Sequence, residues 1–444
     1  MTSATTPTPS GPLASKSSKL IIVGGGGTMG SSTALHLARR GYTDITIMDV
    51  YPIPSSNSAG NDLNKIASAD DVDGFAGCTA LCWDAWMTDP LFEPFAHEVG
   101  KLSLTVEGED EELEYLKNKY KRMSDLGRED IKWLDNVDEI LKAAPHLAKA
   151  DIAGWKGIHC TRGGWVAARD ALDAVGRELQ KVGVKAIFGS SGTFDSLVLG
   201  DDDETVKGVR AKDGSVVEAD LVVVATGAWT PALIDLEGQC VSKCWCFAHI
   251  QLTPEEAAEL KDIPTVYNSV YGFFFEPRPD NHLLKLVNEF PGYTNFQSCQ
   301  PFGSSTVQRI SVPRSHADHP DDTMPQPCLE EIERLVQKTL PHLVGRELIN
   351  KAICWCTDTA DGEWLICEHP KWKGVVVASG DSGRTFKMLP VVGGQIADLI
   401  EDKLSDERRH AWRWRPGAGD PKGKGRPGPR ALDLSEVETT WQHD

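Results

Sequence analysis

The chain has 444 residues, and its 46 Lys and Arg against 65 Asp and Glu give a formal charge of −19. That acidity disfavours nucleic acid and anionic membrane surfaces as partners, and no apolar run approaches the roughly 18 residues that span a bilayer. The length suits one large two-lobed enzyme or two to three domains, each with a sizeable core.

Residues 1–18 are rich in Ser, Thr and Pro, carry no hydrophobic stretch and read as a disordered tail rather than a signal peptide. Lys19 to Val50 then form one uninterrupted βαβ unit: a strand Leu20 to Val23, a glycine-rich turn, a helix Ser31 to Arg40 closed by Gly41, and a strand Ile45 to Met48 ending on Asp49. The best G-x-G-x-x-G register is Gly25, Gly27 and Gly30, although the run Gly24 to Gly27 leaves it open by one residue. Such glycines give a tight turn, close approach to a pyrophosphate and close packing of helix on strand. Thr28 and Met29, between the glycines and the helix, are further candidate cofactor-binding residues, and the helix N-terminus would point its unpaired N–H groups and positive dipole end at that pyrophosphate. Asp49, 24 residues after Gly25, stands near the offset of about 20 expected of an acid that grips a ribose hydroxyl. Strand, glycines, helix and acid in this order predict an adenine dinucleotide site.

Tyr51 to Lys65 (YPIPSSNSAGNDLNK) is a loop at the carboxyl end of the second strand, where such sheets bind ligands. Ala76 to Ala144, with helical spacing and high charge, read as solvated helices of a different domain. Gly163-Gly164 is expected to open a helix from Trp165 to Lys181, followed by a strand from Val184 to Phe188. Two short strands flank the turn Lys212-Asp213-Gly214, and a buried strand within Asp220 to Thr230 ends in Ala225-Thr226-Gly227. From about Cys246 to Pro325, period-two alternation predicts an antiparallel sheet with one covered face. Near Ile353 the chain returns to the first domain, with a strand Gly374 to Ser379, the turn Gly380-Asp381-Ser382-Gly383 and a helix Pro390 to Lys403. The expected division is a discontinuous dinucleotide-binding domain of residues 19–65, 151–245 and 346–416, and a substrate domain of 66–150 and 246–345. Residues 417–444 form an extended tail.

Only one glycine fingerprint is present, so a second, pyridine nucleotide is not expected. The eleven cysteines, an odd number, predict reduced thiols, and neither Cys240-x3-Cys244-x-Cys246 nor Cys354-x-Cys356 has zinc spacing with partner histidines. Cys354 on pattern alone is a buried structural thiol. In HLLKLVNE, strand alternation puts Leu283, Lys285, Val287 and Glu289 on one face, with Lys285 and Glu289 roughly 13 Å apart. An ammonium amid leucines needs compensation, unless the strand lies at a sheet edge and the lysine reaches solvent. Lys387 lies just before the last helix, where a cation opposes the dipole and a nearby anion or polar ligand would explain it; a surface lysine is the alternative.

Several segments together resemble one family: IVGGGGTMGSSTALHLARRGY, PSSNSAGNDLNK, GWKGIHCTRGGW, GFFFEP, EFPGYTN, ICWCTDTADGEWLICEHP and GDSGRTFKMLP. From about Lys19 to Pro416 the chain is similar to the fungal fructosyl amino acid and fructosyl peptide oxidases (amadoriases), relatives of monomeric sarcosine oxidase. The resemblance implies an α/β fold, with a Rossmann-like FAD-binding domain and a second substrate domain built on an antiparallel sheet plus helices. It implies FAD bound covalently through its 8α-methyl group to Cys354, with Cys356 the second candidate, and Asp381 and Gly383 among the cofactor-binding residues. Lys285 then matches the lysine beside the flavin that assists reaction with oxygen, Glu289 a substrate-contacting glutamate, and Lys387 a lysine near the sugar hydroxyls and reacting carbon. Lys65 is a weaker match to a substrate-side basic residue. Lys424 and Arg426 are both candidates for holding the substrate carboxylate.

The expected function is FAD-dependent oxidation of fructosyl amino acids or short fructosyl peptides by a monomer using oxygen and releasing hydrogen peroxide. The alternatives are a sarcosine-, pipecolate- or saccharopine-type oxidase, or a non-catalytic flavin protein sensing glycated amines. Without a C-terminal peroxisomal signal the default location is cytoplasmic, with a peroxisomal one as the alternative.

Overall fold

The computed structural model describes residues 11–417 and 429–437. Strand β1 (Leu20–Val23), four apolar residues buried on both faces, is an interior strand of a six-stranded sheet. It pairs in parallel with β2 (Ile45–Met48) on one side and with Leu221–Val224 on the other. Beyond these lie Lys185–Ile187 and Val375–Ser379, also parallel, and Leu365–Glu368 closes the far edge antiparallel. Near-continuous apolar strands are what a parallel sheet covered on both faces requires. Helix α1 (Thr28–Arg39) covers one face and packs against Val392–Ile400 and Ala168–Lys181. It begins three residues before the expected Ser31, because Gly27 is extended and the chain turns helical directly after it.

A second, ten-stranded sheet carries the antiparallel half of the chain. Its long central strand Cys240–Gln251 pairs antiparallel with both Leu283–Val287 and Ile349–Thr359. The sheet continues through Gly272–Phe274, Thr265–Asn268, Lys101–Val106 and Trp155–Cys160 to Ile131–Leu134. Its own apolar core, including Leu104, Ile250, Leu284, Phe274 and Ile332, is separate from the core around α1 and β1.

Several expectations are corrected. The stretch read as helices from Ala76 to Ala144 contains helix Asp110–Asp125 but also strands Lys101–Val106 and Ile131–Leu134. Leu102 and Leu104 alternate with Ser103 and Thr105, and all four are buried; the charge of the neighbouring helix masked this period-two pattern. Gly163 to Val166 is a strand rather than a helix start, pairing with Lys65–Ser68 (β3), and the helix runs from Ala168 to Lys181. The helix expected from Pro390 to Lys403 is shorter, Val392–Ile400, and a further short helix, Asp406–Ala411, follows it.

By sheet membership, Trp155–Cys160 and Ile349–Thr359 lie in the large sheet, although residues 151–245 and 346–416 were expected in the dinucleotide domain. Residues 11–18, expected to be disordered, are pinned to the dinucleotide half: Leu13 N donates to Ile400 O at 2.8 Å and Lys16 pairs with Glu401. From the C-terminal tail, Leu432–Asp433 adds a parallel strand beside Tyr293–Thr294, and Phe296 N donates to Asp433 Oδ2 at 3.0 Å. Among the described residues no helix is long and apolar enough to cross a membrane.

The first turn is a tight fit in the dinucleotide half. Gly24 has φ +83°, and a Cβ on Gly30 would stand 2.2 Å from Gly24 O. Gly30→Ala should therefore force α1 off β1 and cost about 1–3 kcal/mol, read by urea unfolding. An unchanged midpoint would contradict this close packing.

Candidate active site

The carboxyl ends of β1, β2, Leu221–Val224 and Val375–Ser379 converge on one cavity of about 430 Å³. Its wall includes Gly24, Gly27, Thr28, Met29, Asp49, Thr226, Asp381 and Gly383, together with Ser55 to Gly60 and Lys65 of the loop leaving β2. No side chain caps the N-terminus of α1, so its first N–H groups are left to a ligand, as a helix start that binds a phosphate requires.

The four consecutive glycines divide the work. A Cβ on Gly25 would lie 2.5 Å from Ile47, whereas one on Gly27 would meet no protein atom closer than 3.5 Å. Gly27 therefore owes its lack of a side chain to the cavity it lines, while Gly24, Gly25 and Gly30 owe theirs to protein packing. Asp49 accepts hydrogen bonds from Gly26 N at 3.0 Å, Tyr51 N at 3.2 Å and Ser55 Oγ at 2.7 Å. Burial outweighs these bonds and raises its pKa. Asp381 accepts from Thr357 N at 3.1 Å and Gly383 N at 2.8 Å, which fixes the turn after Val375–Ser379. An uncapped helix start, a cavity-facing glycine and an acid at the end of β2 fit an adenine dinucleotide.

At one end of the cavity the two halves meet. Cys354 comes in on Ile349–Thr359 from the large sheet, partly exposed, with Lys65 Nζ 3.5 Å from its sulfur. Lys65 also contacts Asp62 Oδ2 at 2.7 Å. The same oxygen takes Lys285 Nζ at 2.5 Å, and Lys285 donates to Asn64 O at 3.0 Å. Leu283–Val287 is an interior strand and Lys285 is 2 % exposed, so the edge-strand alternative does not hold. Its ammonium lies 4.8 and 5.5 Å from the ring centres of Phe247 and Phe275. Burial brings Lys285 down to about 8 despite the raising influence of Asp62. Burial would raise Asp62, yet the charges of Lys285 and Lys65 outweigh it and hold the carboxyl well below its usual range.

Glu289 and Lys387 are placed apart from this cluster. Glu289 Oε1 accepts from Tyr267 OH at 2.9 Å. Lys387, next to the cavity-lining Phe386, pairs with Asp71 at 3.2 Å, which supplies the anion its position called for. Behind Asp71, the buried Asp70 takes Lys101 and Lys119, each at 2.9 Å. Lys424 and Arg426 lie outside the described residues. Asp62, Asp71 and Tyr267 were missed in the sequence. The signal available was that a buried lysine demands an anion, but among 65 Asp and Glu the pattern does not say which.

The large-sheet and dinucleotide halves thus present Cys354, Lys65 and Lys285 together. The family described as FAD dependent oxidoreductase matches residues 19–399. The fructosyl peptide oxidase structure from Aspergillus nidulans is 47% identical with a TM-score of 0.91, over 96% of this chain and 99% of that one. The deglycating fructosamine oxidase of Aspergillus fumigatus (Amadoriase II) is 35% identical with a TM-score of 0.84, over 97% and 99%. L-saccharopine oxidase of Schizosaccharomyces pombe is 30% identical over 96% of this chain and 99% of its own length.

Burial raises the Asp71 carboxyl, but Lys387 and then Lys119 hold it well below its usual range. Its ion pair therefore adds stability above the unfolded pKa of about 4 and loses it as pH falls through the folded value. In urea unfolding between about pH 4 and pH 2, Asp71→Asn should lose stability with a shallower slope than the wild type. Equal slopes would mean that Asp71 is not charged against Lys387.

Proposed function

The chain belongs to the FAD dependent oxidoreductase family, and from that premise we propose that it oxidises fructosyl amino acids or short fructosyl peptides. The observation that carries this reading is the Cys354–Lys65–Asp62–Lys285 cluster, in a chain 47% identical over 96% of its length to a fructosyl peptide oxidase. Bound FAD supplies the acceptor for the two electrons of the amine's adjacent C–H bond and their onward transfer to oxygen, giving hydrogen peroxide. The substrate becomes an imine that water hydrolyses to glucosone and the free amino acid.

The chain's own residues bind and orient. The α1 start, Gly27 and Asp49 would hold the adenine dinucleotide, with Asp381 and Gly383 forming another part of the cavity wall. Cys354 is the attachment point for the flavin's 8α-methyl carbon, and Lys65 stands 3.5 Å from its sulfur. Glu289, oriented by Tyr267, offers a carboxylate to the substrate amine. Lys387, held by Asp71, offers hydrogen bonds to the sugar hydroxyls. Lys285 provides a fixed charge for the anion that develops as oxygen is reduced. The protein acts as a monomer.

The 30% identity to an L-saccharopine oxidase supports a second reading, in which the secondary amine carries an amino-acid chain in place of the sugar. Peroxide release separates the two: activity is expected with fructosyl-valine, fructosyl-lysine or a fructosyl dipeptide. Release with saccharopine alone would replace the first reading by the second. Acid precipitation should leave a yellow pellet from the wild type and a colourless one from Cys354→Ala. A yellow pellet from that variant would move the linkage elsewhere.

A further inference from the structure

Two lysines with different proposed duties share one carboxylate oxygen. Asp62 Oδ2 lies 2.5 Å from Lys285 Nζ and 2.7 Å from Lys65 Nζ, while its other oxygen accepts from Leu63 N at 2.7 Å. Asp62 is 4 % exposed, so little water screens this arrangement. Two ammonium groups and one carboxylate leave a single positive charge in a low-dielectric site, and each lysine competes for the same anion.

The surroundings add little to compensate. From the 57–65 loop only the Asn64 carbonyl joins Asp62 on Lys285. From Cys240–Gln251, Phe247 offers a ring face, and His249 stands directly opposite Lys285 in the strand ladder. Burial lowers His249 to about 4, so its ring is neutral near pH 8. Phe275 supplies a second ring. Cys354 faces the pair from Ile349–Thr359, while the Arg169 side chain is turned to Asn61 at 2.8 Å.

We propose that Asp62 is a positioning residue that divides one buried negative charge between Lys285 and Lys65, keeping Lys285 protonated between its aromatic neighbours while holding Lys65 beside Cys354. The charge sharing belongs to the chain itself; only its consequence for oxygen rests on the function proposed above. Removing the carboxylate takes away the anion that favours the Lys285 ammonium, and removing Lys65 takes away its competitor. The two changes must act on Lys285 in opposite directions, which a merely structural role for either residue would not produce.

The test uses the holoenzyme labelled with 13C at lysine Cε and titrated by NMR, with the Lys285 signal assigned by its loss in Lys285→Met. Burial should place the wild-type midpoint below the usual lysine value. Asp62→Asn should lower it by about one unit or more, and Lys65→Gln should raise it. Midpoints that stay put, or that move in the same direction, overturn the proposal. If Asp62→Asn does not fold, Lys65→Gln decides alone: a rise supports the shared anion and no rise overturns it. In parallel, oxygen reoxidation of chemically reduced flavin, which needs no amine substrate, should slow above each protein's midpoint. Opposite NMR shifts without that slowing would uphold the charge sharing and overturn the oxygen-side role of Lys285.

Discussion

The structure is organised around an ammonium buried in the middle of a β-sheet. Lys285 sits on an interior strand with leucines on either side, where an unpaired charge would cost several kcal/mol. Its own sheet surrounds it with ring faces, a neutral histidine and Cys354. The compensating carboxylate comes from the other half of the molecule, on the loop that leaves β2. The ion pair therefore fixes that loop against the large sheet, and with it Lys65 and the cavity wall from Ser55 to Gly60.

The same junction explains why the dinucleotide cavity and Cys354 belong to one site. The parallel sheet delivers four strand ends and the uncapped start of α1 to the cavity, all from residues close to its own core. Cys354 arrives from the opposite sheet, on a strand paired with Cys240–Gln251. That strand also carries His249 opposite Lys285 and Phe247 beneath its ammonium. One long strand thus sets the register of both neighbours that carry the chemistry, and a two-residue slip would displace Cys354 and Lys285 from the loop by about 7 Å.

Away from the junction, ion pairs continue the same logic towards the substrate side. Asp71 holds Lys387, and Asp70 behind it ties Lys101 of the large sheet to Lys119 of helix Asp110–Asp125. An exposed, highly charged helix is in this way connected to a lysine beside the cavity-lining Phe386. Part of the chain's abundant acidic side chains is used here for internal compensation of lysines.

The βαβ unit was legible in the sequence because its signals are local: apolar strands, glycines at close approaches and an acid at the end of β2 lie within a few tens of residues. The antiparallel half was legible as alternation, though charge on Asp110–Asp125 hid the strand before it and Gly163-Gly164 suggested a helix where a strand forms. By itself the sequence determined the dinucleotide cavity, the unusual placement of Lys285 and the resemblance that singled out Cys354. Tertiary structure alone decided that Lys285 is buried rather than at an edge, that Asp62 serves it and Lys65 together, and that Asp71 answers Lys387. These partners lie 223, 3 and 316 residues apart. The two long separations are bridged only when both sheets have folded, because burial creates the demand for a counter-ion and strand register selects which carboxylate can meet it.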